Sequence, residues 1–187
     1  EFGAIRTIHF ADFLAGADAV RRLSQSGLYP ANCRLIDARE ALINGIGNGS
    51  KHLLIIGFES ADHPLDAWME RTLEIVADAG GSVQASREQT PDKGQAGDWR
   101  QQFIRAPYMR DALIRLGLVA ETFETAITWD RFEDFHRGVS ETVNKVTREI
   151  CGKALVTCRF THVYPDGPAP YYTVIAPGRR GDQVRQW

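Results

Sequence analysis

The sequence predicts an α+β domain in which helices pack on one face of an antiparallel sheet, as in an enlarged ferredoxin-like fold. The length of 187 residues suits a single domain. Apolar residues at 43% and charged residues at 25% are ordinary for a globular protein in water. Strand-like stretches follow one another both directly and across helical stretches, which favours hairpins mixed with crossover helices over a parallel sheet.

The first half of the chain is predicted to contain three long strands and two helices. Asp12 is a predicted N-cap, and apolar residues follow it at helical spacing as far as Gly27. Asp62 and Pro64 are predicted to begin the second helix, which ends at Gly80. The strands are predicted from β-branched and apolar residues over Gly3 to Phe10, Ala31 to Ile36 and Lys51 to Phe58.

The middle of the chain is predicted to be less regular. A short strand near Val83 precedes Ser86 to Asp98, which has almost no apolar residue and is predicted to be a mobile loop. Trp99 to Leu116 is predicted to be helical in two pieces that are separated at Pro107. Val119 to Ile127 is the next predicted strand.

The last part of the chain is predicted to be a long helix followed by a hairpin. Asp130 and Glu133 resemble a capping box at the start of that helix. The hairpin strands are predicted over Ala154 to Tyr164 and Tyr171 to Ala176. The tight turn between them is predicted from Pro165-Asp166-Gly167-Pro168, because Pro fixes φ and Gly permits a positive φ.

The hairpin brings together side chains that can transfer protons or carry positive charge. Strict strand alternation predicts that His162 shares a face with Phe160 and Tyr164, whereas Arg159 lies on the opposite face. A phenol such as that of Tyr171 acts as a base at neutral pH only where cations or hydrogen-bond donors favour the phenolate. The alternative is that Tyr171 only packs within its strand.

Two further arginines are candidates for binding an anionic substrate group. Arg110 follows the Pro107 break, and a guanidinium binds phosphate or carboxylate in a bidentate manner. The alternative for Arg110 is a surface ion pair with Asp111 or Glu121. Arg34 has the corresponding alternative of pairing with Asp37.

Composition and spacing exclude several classes of function. A net charge of −2 argues against a nucleic-acid partner, and no apolar run approaches the length of a membrane span. The five histidines and three cysteines have no metal-ligand spacing, so no metal is expected. Without a disulfide framework we expect a cytoplasmic protein. The segment from Asn44 to Ser50 leads into a strand, so a flexible connection is favoured over a phosphate-binding loop.

Several runs together indicate a family. The similarity starts at Cys33-Arg34-Leu35-Ile36-Asp37 and extends to the hairpin. Its main runs are Arg105-Ala106-Pro107-Tyr108-Met109-Arg110-Asp111, Glu121-Thr122-Phe123-Glu124-Thr125-Ala126-Ile127-Thr128-Trp129-Asp130-Arg131, and Cys158-Arg159-Phe160-Thr161-His162-Val163-Tyr164 with Tyr171. In this order they resemble the alkyldihydroxyacetonephosphate synthases, which belong to the vanillyl-alcohol-oxidase type of FAD-linked oxidases.

The resemblance implies that residues 1–187 are the C-terminal substrate (cap) domain of a flavoprotein, whose N-terminal FAD-binding domain and C-terminal tail lie outside this piece. It implies that Tyr171 accepts and donates the proton, that Arg110 binds the substrate phosphate and that Arg34 supports the active site. Arg159 and His162 are further candidates for supporting residues. The implied reaction exchanges the acyl group of acyl-dihydroxyacetone phosphate for a fatty alcohol in ether-lipid synthesis, without net redox change.

Two other functions stay open. The turn is richer in proline than in the animal enzymes, and His162 stands where they have an amide, so an FAD-dependent oxidase or dehydrogenase of an alcohol or 2-hydroxy acid is the alternative. A ferredoxin-like binding or oligomerisation module would have no cluster of Tyr171, Arg110 and Arg34. The partners implied are the FAD domain of the same chain and a small lipid-like substrate. A homodimer and peripheral membrane contact are left open.

Overall fold

The computed structural model describes residues 2–83 and 108–187. Within these ranges seven strands form one sheet in which every strand pairing is antiparallel. The strands are β1 (Phe2–Phe10), β2 (Asn32–Ile36), β3 (His52–Ser60), β4 (Ser82–Val83), β5 (Leu118–Glu124), β6 (Leu155–Val163) and β7 (Pro168–Pro177). Their order across the sheet is β4-β1-β3-β2-β6-β7-β5.

The helices accompany two related sets of strands. They are α1 (Phe13–Ser24), α2 (Ala38–Ile43), α3 (Asp66–Asp78), α4 (108–115), α5 (Trp129–Cys151) and α6 (Gln183–Gln186). The order β4-β1-β3-β2, with α1 and α3 as crossovers, is a split βαβ arrangement. The series β5, α5, β6, β7 repeats its first half, since β7 pairs with both β5 and β6 as β3 pairs with β1 and β2.

The main hydrophobic core lies between the sheet and α1, α3 and α5, and we call this side of the sheet the helical face. Successive strand residues alternate between faces, so every second residue of the central strands enters this core. Leu54 and Ile56 of β3 are fully buried there, as are Phe160 of β6 and Tyr172 of β7. A rigid core therefore supports the strands on which the candidate residues lie.

The opposite side of the sheet, which carries Arg34, Arg159 and Tyr171, is called the polar face here. The short helix α2 and the loop after it cover part of this face. A second buried apolar cluster forms beneath them, and its members are Ile5, Ile36, Ala41, Ile46, Leu53 and Ile55. The rest of the polar face has no such apolar cover among the described residues.

The hairpin turn between β6 and β7 is packed against the start of α5. Tyr164 and Gly167 exchange two backbone hydrogen bonds of 3.0 and 3.2 Å, and the indole of Trp129 donates to the carbonyl of Tyr164 at 3.0 Å. A Cβ at Gly167 would lie 1.9 Å from the carbonyl oxygen of Ile127. Only glycine fits this approach, so the predicted turn is confirmed with a packing reason added.

The predicted fold class is confirmed: the protein is α+β with its larger helices on one face of an antiparallel sheet. The N-cap at Asp12 is also confirmed, since its carboxylate accepts a hydrogen bond of 3.0 Å from the backbone of Ala15. The sequence-based assignment missed α2. The predictions for Ser86 to Asp98 and for residues 99–107 lie outside the described residues.

Two predicted helix starts are wrong. Helix α3 begins at Asp66, because the carboxylate of Asp62 instead accepts a hydrogen bond from Ser60 at 3.0 Å and contacts His63 at 2.6 Å. Helix α5 begins after Thr128 rather than Asp130, so no capping box forms. Asp130 lies in the first turn, where its charge still interacts favourably with the helix dipole.

Candidate active site

Arg159 and Tyr171 are in direct contact on the polar face. They lie opposite each other in the β6–β7 register, so their side chains project from the same side of the sheet. The guanidinium carbon of Arg159 lies 3.9 Å from the centre of the Tyr171 ring. This is a cation–π contact with a positive charge held against the phenol.

A buried carboxylate holds Arg159 in this position. Glu40 of α2 forms an ion pair with Nη1 of Arg159, and its other oxygen accepts a hydrogen bond from the hydroxyl of Thr157. The Glu40 side chain is only 3% exposed and that of Arg159 only 14%. Each oxygen of the Glu40 carboxylate therefore has a hydrogen-bond partner in a site with little access to water.

Arg34 adds a second positive charge beside this group. Its strand β2 pairs with β6, with Ile36 opposite Arg159. Burial lowers the pKa of Arg34, and the charge of Arg159 lowers it further. The two guanidinium charges therefore interact, and two carboxylates lie on the same face: Glu40, which pairs with Arg159, and Glu124, which is opposite Tyr171 in the β5–β7 register.

His162 lies on the polar face, so the prediction that it shares a face with Phe160 is wrong, whereas its ring does stack on the ring of Tyr164 at 6.4 Å. A β-bulge interrupts the β6–β7 register, because Phe160 is opposite Pro170 whereas His162 is opposite Ala169. The extra residue, Thr161, reverses the alternation. The ring of His162 lies 3.6 Å from a carboxylate oxygen of Glu124 and is 66% exposed.

Arg110 lies apart from this cluster. Its guanidinium forms an ion pair of 2.6 Å with Glu121 of β5, and both side chains are at least one-third exposed. Glu121 is opposite Val174, so by alternation it belongs to the helical face, whereas Tyr171 belongs to the polar face. The structure thus places Arg159 in contact with Tyr171 and Arg34 on the same face beside Arg159, whereas Arg110 lies elsewhere.

A second polar group lies in the core on the helical face. Nδ1 of His136 and the hydroxyl of Tyr172 share a hydrogen bond of 3.0 Å, and the His136 ring stacks on Phe13 at 5.2 Å. Burial lowers the pKa of His136 and raises that of Tyr172. Burial also raises the pKa of the neighbouring Cys158 thiol. This group is neutral and satisfied, as expected for a structural pair.

Glu40 and Thr157 were not predicted as site residues from the sequence, although one signal for Glu40 was present. Asp37 follows a strand and precedes Glu40 by three residues, which is the spacing of a helix N-cap with an acidic residue in the first turn. The structure shows this cap, because the Asp37 carboxylate accepts hydrogen bonds from Arg39 and Glu40 at 2.6 and 3.4 Å. Thr157 carried no such signal.

The residues on and near the polar face can be tested for their fit to the two ends of a flavin cofactor, its pyrophosphate and its ring system. The loop from Asn44 to Ser50 connects α2 to β3 and opens no helix, so it offers no cradle for a pyrophosphate. The guanidiniums and the phenol are instead suited to the ring end of a cofactor or to a substrate oxygen. In residues 2–83 and 108–187 no group of acidic, histidine or cysteine side chains could hold a metal ion, and no helix has the length and apolar character of a membrane span.

Comparison with known proteins gives a family match over nearly the whole chain. The model of the family described as FAD linked oxidases, C-terminal domain, matches residues 3–185. Alkyldihydroxyacetonephosphate synthase of Caenorhabditis elegans is 32% identical over 83 residues, which are 43% of this chain and 14% of that protein. The chain therefore matches only a small part of that relative.

Solved structures share the fold. An alkyldihydroxyacetonephosphate synthase in two crystal forms gives TM-scores of 0.78 and 0.79 at 17% and 16% identity, over 98% of this chain and 37% of that chain. The 4-ethylphenol oxidase of Gulosibacter chungangensis, in complex with isoeugenol, gives a TM-score of 0.56 at 10% identity over 98% of this chain and 42% of that chain. At such identities the likeness concerns the fold alone. Together with the family match, it confirms the resemblance found in the sequence.

Proposed function

The chain belongs to the FAD-linked oxidases, as their C-terminal domain, and we propose that it is the substrate-binding part of an enzyme that exchanges the acyl group of acyl-dihydroxyacetone phosphate for a fatty alcohol. FAD would be held mainly by a domain outside these residues. When bound, it supplies the electron-accepting ring system of the reaction. The residues of the polar face supply proton transfer and charge.

The observation that carries the proposal is the contact of Arg159 with Tyr171. In the proposed reaction Tyr171 removes a proton from the carbon beside the substrate ketone and later returns one. The guanidinium of Arg159 lies against the Tyr171 ring and would hold the ring in place for this transfer. Arg34 and Arg159 also suit the negative oxygen that develops as the proton leaves. Burial around Arg159 strengthens this charge interaction.

The proposed role of Arg110 rests on its matched motif rather than on its position. A guanidinium is suited to a phosphate dianion. The ion pair with Glu121 means that a phosphate would have to compete with this carboxylate. The role of Arg110 is therefore tested separately from that of Tyr171.

Replacing Tyr171 with Phe in the flavin-loaded full-length enzyme tests the proposal. The variant keeps the ring that contacts Arg159 but loses the proton-transferring hydroxyl, so we expect kcat for alkyl transfer to fall by about 10²–10⁴-fold. Tyr29→Phe is the matched control, because Tyr29 is 79% exposed on a loop after α1. Near-normal turnover of Tyr171→Phe would dismiss the proposed role.

The ion pair of Arg110 favours a second candidate function. Arg110 is bound to Glu121, whereas Arg159 contacts Tyr171 and Arg34 interacts with Arg159; these two guanidiniums would suit the carboxylate of a 2-hydroxy acid. The enzyme would then be an FAD-dependent oxidase or dehydrogenase. Anaerobic addition of substrate separates the two functions, since only a dehydrogenase leaves the flavin reduced after turnover.

A further inference from the structure

Glu40 connects two elements that are far apart in the sequence. Its carboxylate contacts Thr157 and Arg159, which are 117 and 119 residues away and lie two positions apart on β6. Residues two apart on a strand project from the same face, so one carboxylate can bind both. Each oxygen of Glu40 has its own partner, and the carboxylate orientation is therefore fixed.

Helix α2 is itself fixed to β6. The backbone N–H of Asp37 donates to the carbonyl of Cys158 at 3.0 Å, directly between the two residues that Glu40 binds. The Asp37 carboxylate caps the helix and is almost fully buried. The backbone that carries Glu40 thus has little freedom relative to Arg159.

Stability alone is a weak reason for a buried ion pair. The free-energy cost of removing two charges from water offsets much of the stabilisation from their mutual attraction. Apolar residues of similar volume often stabilise a core equally well. What an ion pair adds is a fixed orientation of the two side chains that form it. Nη1 of Arg159 is held by Glu40 while the guanidinium carbon lies 3.9 Å from the centre of the Tyr171 ring.

We propose that Glu40 is a positioning residue: with Thr157 it holds the guanidinium of Arg159 against Tyr171, and it acts on turnover only through Arg159. This role rests on the proposed function of Tyr171 as the proton-transferring group. Glu40 also balances one of the two guanidinium charges, so that Arg34 and Arg159 can lie close together. The partners of its carboxylate are Thr157 and Arg159.

A double-mutant cycle in the flavin-loaded full-length enzyme tests this proposal. We expect Glu40→Gln to lower kcat about tenfold to a hundredfold, with KM changed less than about twofold, because a misplaced catalytic arrangement has effects of this size on the rate. In an Arg159→Met background the same change should alter kcat by less than about twofold, since the positioned group is absent. If the double variant lost kcat by the product of the two single-variant factors, the proposal would be overturned.

Glu74→Gln is the matched control for these kinetics. Glu74 is an exposed carboxylate on α3 that pairs with Arg71 at 2.6 Å, so its loss should leave kcat unchanged. If Glu40→Gln fails to fold, Thr157→Val removes one of the two contacts of Glu40 and keeps every charge. A kcat loss beyond about threefold in Thr157→Val supports the proposal, and unchanged turnover overturns it.

A crystal structure of Glu40→Ala provides a readout that needs no substrate. We expect the Arg159 guanidinium to leave the Tyr171 ring, and a guanidinium still about 3.9 Å from the ring would overturn the proposal. The substrate hypothesis can fail independently of this result. An enzyme that reduces its flavin but transfers no alkyl group would dismiss the proposed substrate. The double-mutant cycle of Glu40 and Arg159, measured on the rate of flavin reduction, would still decide the role of Glu40.

Discussion

Tyr171 and Tyr172 are consecutive in the sequence and serve opposite sides of the sheet. The ring of Tyr171 contacts Arg159 on the polar face, whereas Tyr172 is fully buried and bonds His136 at 3.0 Å on the helical face. Strand alternation alone produces this division. One tyrosine is therefore available for chemistry while its neighbour anchors the strand in the core.

Acid should destabilise the protein through two partly buried histidines. Burial lowers the pKa of His136 and of His52 below their usual value of about 6.5. The unfolded chain then binds more protons than the folded one, so stability is full above pH of about 6.5 and falls as the pH is lowered through the folded-state pKa. Urea unfolding of His136→Gln should show a weaker loss between pH 7 and pH 5 than wild type. An unchanged loss would contradict this assignment.

Gly167→Ala should destabilise the protein by about 3 kcal/mol, because the new Cβ would overlap the backbone of Ile127 and force the hairpin turn away from α5. Gly138→Ala is the matched control, since Gly138 is an exposed position in the middle of α5 and nothing lies within 4 Å of a Cβ there. There the change should stabilise by about 0.5–1 kcal/mol. Unfolding free energies of the two variants would show opposite signs, and equal signs would refute the packing argument.

Phe160→Ala should cost about 3–5 kcal/mol of unfolding free energy. Its ring is fully buried and meets Phe132 edge-on at 5.1 Å and Phe13 at 5.7 Å, so truncation opens a cavity between the sheet and two helices. Val184→Ala, at a side chain 89% exposed, should change stability by no more than about 0.5 kcal/mol. A cost below about 1 kcal/mol at Phe160 would mean that the core relaxes around the gap.

Arg110→Gln should raise KM for acyl-dihydroxyacetone phosphate about tenfold or more if Arg110 binds the phosphate, since a hydrogen bond to a charged group contributes about 1.5–3 kcal/mol. Stability should change by less than about 1 kcal/mol, because exposed ion pairs contribute little. Glu121→Gln should have the opposite effect on KM, because it removes the competing carboxylate. Steady-state kinetics of both variants, with Arg137→Gln as a control for another exposed pair, provide the measurement.

Local signals were sufficient to predict much of the fold. Asp12 caps α1 as its residue type and position predict, and the β-branched runs of β1 and β3 lie within one residue or two of their predicted bounds. The turn at Gly167 also follows from local chemistry. These features depend on neighbours in the sequence, which is why the sequence alone reveals them.

The candidate site depends on long-range contacts and was predicted only in part. Arg159 and Tyr171 come together because they flank one hairpin, which the sequence shows. Glu40 joins them from α2, and no local pattern indicates that a carboxylate more than a hundred residues away reaches β6. The position of Arg110 likewise depends on which acidic residue the folded chain brings near it, and of the two candidates the structure shows Glu121.

The bulge at Thr161 also offers a route by which related enzymes could change chemistry. Deleting that one residue would restore regular pairing of the hairpin and return His162 to the interior, where an imidazole would have to displace packed rings. Which side chain near the hairpin tip lies on the polar face is thus decided by an insertion rather than by a substitution. A library of variants with insertions or deletions in β6 would therefore change the side chains on the polar face more directly than a library of substitutions.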